Sequence, residues 1–103
     1  MLIVSTTHLY AINKRYIDFF AVRLKGNIVM LKFYTGGSDK PIIYQIMAEE
    51  DIDVKKFAER LFKTITLHLA QSETPTFLEG VVGNVKKEIK EEKKEAEQRN
   101  QSA

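Results

Sequence analysis

The stretch Ile28 to Ile46, IVMLKFYTGGSDKPIIYQI, limits the fold more tightly than any other part of the chain. Val29, Leu31 and Phe33 alternate with Ile28, Met30, Lys32 and Tyr34, the period of two that sends successive side chains to opposite faces of a strand. Gly36-Gly37-Ser38-Asp39-Lys40-Pro41 follows, with residues that accept positive φ and a proline that restrains the backbone, as a reversal needs. The stretch reads as two strands joined by a short polar loop.

The residues before it extend the same pattern. Leu2 to Ile12 is rich in β-branched and aromatic side chains and reads as a first strand. Asn13-Lys14-Arg15 reads as a turn. Tyr16 to Lys25 reads as a second strand, with Phe20, Val22 and Leu24 on one face and Ile17, Phe19, Ala21, Arg23 and Lys25 on the other. Gly26-Asn27 separates two alternating runs by two residues, a hairpin signal. Four strands with short links imply a four-stranded antiparallel meander.

The period then changes. Val54, Ala58, Leu61, Ile65 and Leu69, widened by Phe57, Phe62 and His68, have helical spacing and predict a helix over about 52–70, packed on one sheet face. Asp51 is the expected N-cap, with Glu49, Glu50 and Asp53 favourable near the positive end of the helix dipole. The fold class is therefore α+β. Gln71 to Thr76 is a polar break containing Pro75, with Thr74 and Thr76 as competing N-caps and Glu79 at capping-box distance from Thr76. Leu78, Val82, Val85 and Ile89 predict a second amphipathic helix, which Gly80 and Gly83 each weaken by roughly 1 kcal/mol relative to alanine. Such a helix needs tertiary or intermolecular packing. Nearly every residue from Lys86 to Arg99 is charged, with opposite charges at Lys87–Glu91, Lys93–Glu97 and Glu95–Arg99 and like charges at Lys86–Lys90 and Glu88–Glu92. This part reads as a solvated helical tail, a solubilising extension. The expected division is a compact sheet-plus-helix unit over 1–71, a C-terminal helix over 76–97 and a disordered tail over 98–103.

Composition removes several classes of function. A chain of 103 residues fits one domain. It has no cysteine, so it holds neither a disulfide framework nor a thiolate metal site. MLIVSTTHLY lacks the basic start of a signal peptide, and no run approaches the roughly 20 apolar residues of a membrane span. The expectation is a soluble cytoplasmic protein with no membrane partner. Net charge is +2, too small to demand a polyanion, but residues 1–47 hold six basic side chains against Asp18 and Asp39.

Candidates for chemistry are few. His8 and His68 have no second ligand at i+3 or i+4, so no metal site is expected. His68 reads as a hydrogen-bonded boundary residue on the first helix, and His8 as a strand residue. Ser5, Thr6 and Thr7 are adjacent to His8 only along one strand, which does not make a nucleophile with a base and an orienter. Gly36-Gly37 lacks the following Lys-Ser/Thr of a phosphate loop. No catalytic residue and no cofactor are assigned, and an enzyme is not expected.

The remaining constellation is the second sheet face. Phe19, Arg23 and Lys25 from one strand and Met30, Lys32 and Tyr34 from the next interleave aromatic, apolar and basic side chains. Two readings follow. In the first, the chain is a non-enzymatic protein-interaction or self-assembly module that uses this face, or the Leu78, Val82, Val85, Ile89 seam, to bind another protein or itself as a homo-oligomer; apolar patches of this kind rarely stay bare on a monomer. In the second, rings stack on bases and cations meet phosphates, making a single-stranded nucleic-acid-binding module. The element order over residues 2–70 is similar to the single-strand-binding sheets of the whirly and transcriptional-coactivator type and to minimal pleckstrin-like domains. The likeness lies in element order and implies no site residues.

Overall fold

The two alternating runs and the strand after the polar loop form β3 (Ile17–Lys25), β4 (Ile28–Thr35) and β5 (Ile42–Met47), an antiparallel meander of order β3-β4-β5. These belong to a computed structural model that describes residues 1–71 and 73–101. Lys25 pairs with Ile28, so Gly26 and Asn27 are a two-residue turn, and Gly26 takes the positive φ of 61° that such turns require. Gly36 and Gly37, with φ of 59° and 73°, do the same for the β4–β5 loop.

The first expected strand is instead a hairpin. β1 (Leu2–Ser5) and β2 (Tyr10–Asn13) pair antiparallel, with Ile3 opposite Ile12. Two local features break the run between them. The Ser5 hydroxyl accepts the His8 amide at 3.0 Å, and Leu9 adopts φ 59°. β1 also pairs in parallel with β6 (Thr76–Phe77), giving a second sheet of order β2-β1-β6. The fold is thus α+β with two three-stranded sheets, which corrects the expected four-stranded meander. Composition could not show this, because the turn is made by a serine side chain and a left-handed leucine rather than by glycine, proline or asparagine.

Helix α1 (Val54–Ala70) lies where helical spacing places it and buries Phe57, Ala58, Leu61 and Ile65. Its N-cap is Asp53, whose Oδ1 accepts the Lys56 amide at 3.3 Å, rather than Asp51. On the sheet, Val29, Leu31 and Phe33 are fully buried beneath the helices. Each such side chain contributes about 1.5–3 kcal/mol relative to exposure. Thr76 caps no helix: it is a strand residue, and its hydroxyl lies 3.2 Å from His68 Nδ1, which makes His68 the hydrogen-bonded boundary residue expected.

Helix α2 (Leu78–Gln101) completes the same core. Leu78, Val82, Val85 and Ile89 are all buried, together with Ile3, Phe57 and Leu61. The seam expected to face a partner therefore closes the chain's own core, and residues 76–97 pack as part of the unit formed by 1–71. Beyond the seam, ion pairs run between elements. Glu92 meets Lys56 at 2.9 Å and Arg60 at 2.8 Å, Glu88 meets Arg60 at 3.1 Å, and Lys86 meets Glu49 at 3.1 Å. Residues 98–101 continue the helix, and Ser102 and Ala103 lie outside the described residues. No helix among the described residues is long and apolar enough to cross a membrane.

Lys14 locks the two halves together. It sits in the 3₁₀ turn Lys14–Tyr16 and is only 7% exposed. Its ammonium donates to the carbonyls of His68 at 2.8 Å, Gln71 at 2.9 Å and Thr74 at 2.8 Å. The first two belong to the C-terminal end of α1, where backbone acceptors lack helical partners and the dipole favours a cation. Burial pulls the Lys14 pKa down, and the three carbonyls offset that desolvation. Lys14→Met should destabilise the fold by about 3 kcal/mol, because it strands acceptors at a part-buried site. Urea unfolding followed by circular dichroism reads this directly. An unchanged midpoint would show the contact to be dispensable.

Candidate functional site

The meander has one covered face and one open face. Phe20, Val22, Val29, Leu31, Phe33, Tyr44 and Ile46 belong to the core side. The register sets the opposite face in rows: Phe19 beside Tyr34, Ala21 beside Lys32 and Ile43, Arg23 beside Met30 and Gln45, and Lys25 beside Ile28 and Met47. Phe19, Arg23, Lys25, Met30, Lys32 and Tyr34 are therefore brought together on one surface. The pairing also decides the phase of β5, which periodicity leaves open: Ile43, Gln45 and Met47 face outward. A bulge between Ile17 and Phe19 re-aims the start of β3, and there the Asp18 carboxylate accepts the Gly37 amide at 2.8 Å.

This face is apolar in its contacts and basic in its charge. Phe19 is 56% exposed and Met47 67%, with Ile43 exposed beside them. Phe19 meets Tyr34 edge-on, ring centres 5.5 Å apart at 69°, so the two rings hold one another at one end of the rows. Arg23, Lys25 and Lys32 enter none of the ion pairs among the described residues. The rows contain no carboxylate. Such a surface accepts apolar side chains or flat rings and attracts carboxylates or phosphates.

A second constellation joins Ser5, Thr6 and His8, which the sequence sets side by side, to Glu79, which the sequence places at capping-box distance from Thr76 instead. Glu79, in the first turn of α2, reaches the β1–β2 loop. Its Oε2 accepts the Ser5 hydroxyl at 2.9 Å, and its Oε1 accepts the Thr6 amide at 2.6 Å and the Thr6 hydroxyl at 3.0 Å. The Tyr44 hydroxyl also donates to it. His8 lies against the Tyr44 ring at 4.8 Å, with Nδ1 3.3 Å from Ser5 Oγ. Serine, histidine and glutamate thus meet, but in the wrong order for nucleophilic catalysis: Ser5 donates to the carboxylate itself and is 1% exposed. Burial alone would raise the Glu79 pKa, yet hydrogen bonds from Tyr44, Thr6 and Ser5 outweigh it and hold the group down to about 2. A carboxylate so saturated is a weak base. It acts as a clasp between α2 and the loop. No local signal reveals it, since the partners are 73 and 74 residues apart. Among the described residues no three histidine or carboxylate side chains converge as metal ligands.

The depressed pKa has a pH signature. The clasp's contribution to stability is fully present above the ordinary value of 4.5 and is lost as pH falls towards about 2. Glu79→Gln should lower the urea midpoint at neutral pH and flatten the decline between pH 4.5 and 2, and a pH series of unfolding curves for both proteins checks this. Parallel declines in the two proteins would assign the acid sensitivity elsewhere.

No family model matches the chain, no curated protein matches its sequence, and no solved structure matches its fold.

Proposed function

We propose that the protein is a non-enzymatic interaction module that binds a protein partner through the open face of β3, β4 and β5. The observation that carries this reading is the exposed apolar set Phe19, Ile43 and Met47, contiguous with Met30 and Tyr34 on a rigid sheet and edged by Arg23 and Lys25. Aromatic, methionine and arginine side chains are the types enriched where proteins meet, and large apolar patches are uncommon on surfaces that stay wet. The complementary partner presents an apolar centre and an acidic rim. The Glu79 clasp fits this reading, because Ser5 is buried and its hydroxyl donates to the Glu79 carboxylate.

A second reading, a single-stranded nucleic acid on the same face, is favoured by one observation: three cations flank two rings without a carboxylate among them. Electrophoretic shifts of single-stranded DNA and RNA in low salt separate the two. A shift that weakens with salt and with Lys32→Ala supports the nucleic acid, and no shift in low salt removes it.

For the protein partner, a photo-reactive phenylalanine analogue placed at Tyr34 should yield discrete protein adducts in cells. Met47→Asp should reduce these at least tenfold, about 1.4 kcal/mol, while leaving the melting temperature nearly unchanged because Met47 is exposed. Adducts indifferent to Met47→Asp would place the binding surface off this face.

A further inference from the structure

β3 is an outer strand: β4 covers one edge, and no strand among the described residues covers the other. The tight turn makes Lys25 and Ile28 a hydrogen-bonded pair, and alternation makes Arg23–Met30, Ala21–Lys32 and Phe19–Tyr34 hydrogen-bonded pairs as well. The amides and carbonyls of Phe20, Val22 and Leu24 therefore point away from the sheet. Consistent with this, the Val22 carbonyl accepts the Arg23 guanidinium at 3.2 Å. The side chains of the same three residues, with Ala58 and Phe62 of α1, line a groove of about 580 Å³. Leu24 and Phe62 in it are 44% and 46% exposed. Open backbone groups and unfilled apolar space lie along one edge, the arrangement that receives an added strand.

We infer that the occupant is a second copy of this chain, its β3 antiparallel to the first about a two-fold axis at Val22, joining two sheets into one of six strands. Self-complementarity favours this occupant. Centred there, Val22 meets the partner's Val22 and Phe20 meets the partner's Leu24, so the outward amides of each copy find carbonyls of the other. On the open face Arg23 meets the partner's Ala21, and Lys25 meets the partner's Phe19, a cation beside an exposed ring. Moving the axis to Arg23 sets the two guanidinium groups against each other, which disfavours that register relative to the one at Val22. The groove rim carries Lys55, Glu59 and Lys63 one helical turn apart. A two-fold axis at Val22 turns these rims, which carry both signs of charge, towards each other, and a two-fold interface repeats every contact between them. In the separate chain the Arg23 bond to Val22 protects the edge, as charged side chains on outer strands do.

The inference concerns the edge and groove, not the open face, so one experiment distinguishes them. Sedimentation equilibrium of the full chain from 1 μM to 1 mM should show a monomer–dimer equilibrium. Val22→Pro removes an outward N–H without breaking the β4 ladder, and Phe62→Glu charges the groove; each should weaken the dimer at least tenfold. Met47→Asp should leave it unchanged. Hydrogen exchange at rising concentration should slow at the amides of Phe20, Val22 and Leu24 but not at Ala21 or Arg23, which already bond to β4. Because the exchange pattern is read on the unaltered chain, it decides the matter even where Val22→Pro unfolds. A chain monomeric at 1 mM, including one that binds only an acidic peptide at this edge, overturns the inference. So does a dimer indifferent to Phe62→Glu, or one lost with Met47→Asp.

Discussion

One ammonium group governs how the halves of this fold meet. Lys14 leaves the β1–β2 hairpin and ends among the carbonyls of His68, Gln71 and Thr74. That contact fixes the end of α1 and the link after it against the hairpin. β6 then starts beside β1, with Thr76 opposite Ile3 and Phe77 opposite Val4. With β6 placed, α2 must begin where Leu78 enters the core and Glu79 reaches Ser5 and Thr6. Each step follows from satisfying polar groups that burial would otherwise leave unpaired.

The consequence is an asymmetric sheet. α1 packs on the face of Val29, Leu31 and Phe33, α2 joins the same core against α1, β1 and β6, and Arg60 ties the two helices through Glu88 and Glu92. With the helices on that side, the face of Phe19, Lys32 and Met47 is left to solvent. The charged part of α2 is more than a solubilising surface in this arrangement. Its carboxylates neutralise Lys56 and Arg60, while Lys86 pairs with Glu49 and lies 5.9 Å from the Phe57 ring. Exposed pairs of this kind contribute little singly, but several share partners and fix how the helices lie together.

Much of the candidate surface was legible as a pattern. Alternation in Tyr16–Lys25 and Ile28–Tyr34 separates Phe20 from Phe19 and Leu31 from Lys32, and the pairing of β3 with β4 keeps those sets apart. The three-residue and four-residue spacing of Val54, Ala58, Leu61 and Ile65 marks the face of α1, three of which are buried. What failed was the reading of Leu2–Ile12 as one strand. Propensity registers the β-branched residues there but is blind to a serine side chain folding back on its own loop. The Leu78, Val82, Val85, Ile89 seam was visible, but whether it met the chain's own core or another molecule was not.

By itself, then, the sequence determined where β3, β4, β5 and the two helices form and which of their side chains share a face, because period and turn residues act over a few residues. Only the tertiary structure decided that the strands divide into two sheets, that α2 belongs to the core, and that Lys14 and Glu79 are anchors. Those outcomes depend on contacts between residues 54 to 74 positions apart. Long-range pairing of this kind leaves no local trace, since a lysine capping a helix and a glutamate holding a loop look like any surface charge until their partners arrive.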